Sequence, residues 1–140
     1  MTVILAGTQS NQAGKTTLLP GELIPLSWES VRAPRYSFGY APHWELAQQE
    51  DGFALLDAEG ATVARVIDIT NVRAITLTEL DRQPNLSQAE FSFADQPARR
   101  YIYTDHDTYI ISVGRRAYRL DTYEQGPDVD LFLATVRFFQ

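Results

Sequence analysis

At 140 residues, with 44% hydrophobic and 21% charged residues, the chain suits one domain with a sizeable core and is too apolar for wholesale disorder. Twelve Lys and Arg against 18 Asp and Glu give a net charge of −6, which disfavours nucleic acid and anionic membrane surfaces as partners. The absence of cysteine excludes disulfides, thiolate catalysis and Cys-ligated metal sites.

The first residues carry no basic leader, and no stretch approaches transmembrane length, so a cytoplasmic protein is expected. Residues 1–19 predict a flexible arm: Thr2–Ala6 is a candidate short strand, and Gly7–Thr17 is polar and small-residue-rich. Within it, Ala13-Gly14-Lys15-Thr16-Thr17 has the look of a phosphate-binding loop. That loop needs a glycine where Gln9 stands, and Pro20-Gly21 breaks the helix that should follow. No nucleotide, metal or other cofactor is expected.

From residue 20 a single β-barrel-like domain is expected to run to residue 140. Leu23–Val31 predicts a first strand with Ile24, Leu26 and Trp28 on one face. Ala33–Pro42, bracketed by prolines, predicts an irregular aromatic connection. Trp44–Gln49 and Phe53–Leu56 predict a hairpin about Asp51-Gly52. Ala61–Ile69 and Val72–Leu80 predict two more strands, although Arg65 shares a face with Val63 and Ile67 in the first. Asp81–Ser87 is a loop by composition, and Phe91 and Phe93 mark a short strand. Arg100–Thr104, Thr108–Val113 and Ala117–Tyr123 predict a meander. Gly126-Pro127 then opens a helix over Asp128–Gln140, with Val129, Phe132, Leu133, Val136 and Phe139 on one stripe. The fold class is therefore mainly β: an antiparallel bent sheet or small barrel closed by one C-terminal amphipathic helix.

Catalytic patterns are missing. Asp105-His106-Asp107 places three metal-ligand types side by side, but neighbours on a strand point to opposite faces, and this composition is ordinary at a hairpin tip. His43 has no second histidine at ligand or triad spacing. The aromatic run Trp28, Tyr36, Phe38, Tyr40, Trp44 suits either a groove or core packing, and core packing is the commoner use. Arg32 and Arg35, with Arg115 and Arg116, form the candidate anion or partner site; the competing reading is that they decorate turns.

Residues 20–140 resemble the pleckstrin-homology-like superfold. The resemblance is carried by Pro20-Gly21-Glu22, the Trp44–Leu56 hairpin, the strand end Val66-Ile67-Asp68-Ile69-Thr70-Asn71-Val72 and the Asp128–Phe139 helix. It implies a bent seven-stranded barrel with the helix closing one end. Phosphoinositide readers of that group use a basic motif at the first hairpin. Only Arg32 and Arg35 match it here, with no lysine following, so membrane binding is not expected. Other members bind peptides or oligomerise through strand edges.

The expected function is a non-enzymatic interaction or scaffold module that binds a protein partner or forms a homo-oligomer. Two alternatives stand beside it. One is a lipocalin-like barrel holding a small ligand. The other is an acidic inhibitor or immunity protein that neutralises a basic partner.

Overall fold

The computed structural model describes residues 24–139. The expected arm, its Thr2–Ala6 strand, the Lys15 loop and the Pro20-Gly21 turn lie outside the described residues. In chain order, β1 (Glu29–Arg32) and β2 (Tyr36–Tyr40) come first. They are followed by β3 (Glu45–Gln49), β4 (Gly52–Leu56) and β5 (Thr62–Asp68). A 3-10 turn (Thr70–Val72) then leads into α1 (Arg73–Arg82). A four-stranded meander follows: β6 (Ser87–Phe93), β7 (Gln96–Ile102), β8 (Asp107–Val113) and β9 (Arg116–Thr122). Last come α2 (Pro127–Thr135) and the two-residue β10 (Arg137–Phe138). Two compact units result, one from residues 24–44 and 126–139, the other from residues 45–125.

In the first unit β2 is the central strand of an antiparallel sheet ordered β1-β2-β10. This corrects the irregular connection expected over Ala33–Pro42. The prolines bracket a strand, and Tyr36, Phe38 and Tyr40 recur at the strand period of two on one face. Phe38 is fully buried and meets Phe132 of α2 edge-on, with centroids 5.6 Å apart. Thr135 ties the helix to the strand: its Oγ1 accepts the Gly39 N–H at 2.8 Å and donates to the Phe132 carbonyl at 2.7 Å.

The C-terminal helix is present but shorter than expected. Pro127 begins it, and Asp128 and Asp130 lie in its first turn, where the helix dipole favours negative charge. It ends at Thr135. Val136 is already extended, and Arg137 and Phe138 pair with Ser37 and Tyr36. The β-branched and aromatic residues over 135–139 favour extended backbone. The stripe splits accordingly: Val129 and Phe132 are buried from the helix, and Val136 from the extended chain after it.

The second unit is a seven-stranded antiparallel sheet ordered β3-β4-β5-β9-β8-β7-β6. Among the described residues it is open, with β3 and β6 as its edges, so the closed barrel is corrected. Paired positions share a face, and two rows define the faces. Arg65, Asp121, Thr108, Tyr101 and Gln88 run across one; Val66, Leu120, Tyr109, Arg100 and Ala89 run across the other.

The strand expected over Val72–Leu80 is a helix. Its Ile75/Leu77 alternation mimics a strand, yet α1 buries Thr76 and Leu80, four residues apart, and leaves Ile75 64% exposed. The helix entry is set by Asp68, whose Oδ1 accepts the Thr70 N–H at 2.8 Å. Leu80 packs with Ile69, Tyr101, Tyr103, Ile110 and Ala117, and Leu77 lies against the same cluster.

Candidate functional site

The two edges of the large sheet differ. β3 (ELAQQ) has five residues, opens on Glu45 and is followed by Glu50 and Asp51. β6 (SQAEFSF) has seven, and its first six are exposed. Among the described residues β6 pairs only with β7, through seven consecutive positions with no shift of register. It contains no Lys, no Pro and one charge, Glu90, whose Oε2 accepts a 2.7 Å bond from Arg99. Natural edges are usually blunted by lysine, proline or a bulge; β6 has none of these.

The two sides of β6 offer different chemistry. On one, Phe91 is 37% exposed and ends an aromatic cluster, 6.2 Å from Phe93 and 6.1 Å from Tyr109, both edge-on. On the α1 side lies a groove of about 290 Å³ whose lining includes Leu77, Ile110, Arg73 and Arg99. Arg73 donates to Ser112 Oγ at 2.8 Å.

The hairpin joining β6 to β7 turns at Ala94 and Asp95, both in the left-handed region with φ of 49° and 66°. Two consecutive positive φ values match the twist of the flanking strands and lock their register. The sequence lacks the Asn-Gly or Asp-Gly signature that announces such a turn.

The four candidate arginines fall into separate settings. Arg32 lies 4.6 Å over the Phe139 ring, and the Arg35 carbonyl accepts the Phe139 N–H at 2.7 Å. Both side chains are exposed. Arg115 is exposed at the β8–β9 turn, where Gly114 has a φ of 62°. Arg116 Nη1 lies 3.7 Å from Asp68 Oδ2.

Asp105, His106 and Asp107 do not converge. His106 Nδ1 and Asp105 Oδ1 are 2.7 Å apart, whereas Asp107 accepts a bond from Arg100 Nη2. The hydrogen bond from His106 lowers the Asp105 pKa. The His106 ring stacks between Tyr103 (4.7 Å) and Tyr123 (5.4 Å), beside a hollow of about 230 Å³. Among the described residues no group of three or more His, Asp or Glu can hold a metal ion. His43 Nε2 lies 3.5 Å from Asp128 Oδ2, and both are well exposed. In the aromatic run, Tyr36, Phe38 and Trp44 are buried, and Trp28 meets Trp44 edge-on at 6.1 Å.

A charged cluster that sequence reasoning missed lies inside the large sheet. Asp121 is fully buried and accepts from Thr108 Oγ1 (2.6 Å), Arg65 Nη2 (2.7 Å) and Arg119 Nε (3.1 Å). Burial lowers the Arg65 pKa, but the hydrogen bond and charge of Asp121 outweigh it, and the net shift is upward. The only sequence signal was Arg65 on an otherwise apolar strand face. With both carboxylate oxygens occupied, the cluster reads as a structural tie between β5, β8 and β9.

Among the described residues no helix is long and apolar enough to cross a membrane. No protein-family model matches the chain, and no curated protein matches it either.

Proposed function

We propose that the chain is a non-enzymatic interaction module that takes its partner by strand addition at β6. The observation that carries this reading is the long, regular, ungated edge of β6, paired among the described residues with β7 alone. An exposed strand edge presents backbone donors and acceptors that a second strand can satisfy, and alternate side chains supply specificity. Phe91 on one side and the Leu77/Ile110 groove on the other offer apolar contacts to such a strand. The reading agrees with the pleckstrin-homology-like resemblance, in which strand edges receive peptides.

The test compares baits. Immobilised wild-type chain is set against Ala89→Lys/Phe91→Lys, which places two lysines on β6, and against Gln48→Lys on β3. Bound proteins should be lost from the β6 double variant and kept by the β3 variant, with all three chains folded by circular dichroism. Capture that survives the β6 pair overturns the proposal, as does a chain that neither captures protein nor self-associates.

A further inference from the structure

We infer that the strand received by β6 is β6 of a second copy of this chain, in an antiparallel two-fold register centred on Phe91. The inference rests on the strand-addition reading above and names its partner.

The register follows from the residues of β6. A two-fold axis normal to the sheet keeps each face on its own side, so paired positions differ by an even number and the pair centres on one residue. Centring on Glu90 sets Glu90 opposite Glu90 of the other copy, and directly opposed like charges are destabilising. Centring on Ala89 leaves the exposed Phe91 ring opposite Ser87. Centring on Phe91 sets the two Phe91 rings side by side and Glu90 opposite Ser92 on each side of the axis. Of the registers that pair at least five residues of the strand, that one alone sets its largest exposed apolar side chain against another without opposing its only charge. Each Glu90 keeps its 2.7 Å bond from Arg99 of its own chain, so its charge is already partly compensated. The β6–β7 ladder, unbroken in register, supplies a regular template for the second copy.

The chain has no cysteine, so single cysteines report the register directly. Directly opposed residues of an antiparallel pair have Cα atoms about 4.5–5.5 Å apart, within disulfide range. Phe91→Cys, Glu90→Cys and Ala89→Cys are oxidised mildly and resolved on non-reducing gels. Phe91→Cys should form the covalent dimer and the other two should not. Sedimentation equilibrium supplies an independent readout that leaves the aromatic cluster intact. Ser92→Glu opposes Glu90 twice per dimer and should weaken association about 2- to 30-fold, whereas Ser92→Lys should hold or tighten it. Preferential cross-linking at Glu90 or Ala89, or a monomer that Ser92→Lys does not rescue, overturns the inference. If the chain is monomeric yet wild-type bait loses its captured protein on Ala89→Lys/Phe91→Lys, the second copy is wrong and strand addition stands. If capture also survives those lysines, both fall.

Discussion

β8 and β6 lie two places apart in one sheet and each is seven residues long, yet they live in different solvents. In β8 (DTYIISV) every residue except Ser112 is buried, including Asp107 and Thr108. In β6 every residue except Phe93 is exposed. The difference is position. β8 has neighbours on both sides and side chains packed over both faces, so even its polar residues need partners: Thr108 binds Asp121 and Asp107 binds Arg100. Among the described residues β6 is ordered by one neighbour and by its turn. Stability is therefore concentrated at the centre of the sheet, and little of it rests on the edge.

Substitutions sharpen that contrast. The largest loss is expected at the buried charge. Asp121→Ala leaves Arg65 and Arg119 with an unanswered positive charge and should cost roughly 3–5 kcal/mol in urea unfolding. Ile111→Ala, at a fully buried position on β8, opens a cavity and should cost about 3 kcal/mol by the same measurement. At the β6–β7 turn the sign reverses. Ala94 occupies a left-handed conformation that L-residues other than asparagine and aspartate resist, so Ala94→Asn should stabilise the chain by about 1 kcal/mol. At the edge itself, Gln88→Lys should change stability by less than about 0.5 kcal/mol. A large loss there would give β6 a place in the core.

The smallest effect concerns alkaline pH. Burial, with the nearby Asp121 carboxylate, raises the Tyr123 pKa above its ordinary 10.0. The unfolded chain then releases this proton first. The tyrosine's contribution is complete below about pH 10 and is lost as the pH rises through the folded value. Urea unfolding at about pH 9 and about pH 11 should show this loss in wild type and a smaller one in Tyr123→Phe.

Much of the β meander was legible because its strands alternate and its turns carry small or polar residues. Asp51-Gly52 marked a hairpin correctly, but for a different reason. Gly52 does not serve a left-handed turn; a Cβ there would lie 1.8 Å from the Val66 carbonyl oxygen, so the residue is needed for close strand approach. α1 was illegible because it buries a threonine and exposes an isoleucine, which erases the helical stripe. β2 was hidden by its flanking prolines. Phe91 and Phe93 announced a strand, but nothing local announces an edge. Strand order depends on pairings such as Arg65 with Asp121, made between segments far apart in the chain. The same distance hid the Asp121 cluster, whose partners sit on three strands.

The pairing of β10 with β2 has a consequence for synthesis. The bonded residues Gly39 and Thr135 stand 96 positions apart, with the whole seven-stranded sheet between them in sequence. A chain emerging from the ribosome makes β1 and β2 before the seven-stranded sheet, but their third strand and covering helix after it. The meander, built from neighbouring hairpins, can close before α2 and β10 are made; the three-stranded sheet cannot be completed until they are. Until then the Phe38 side chain lacks its edge-on contact with Phe132.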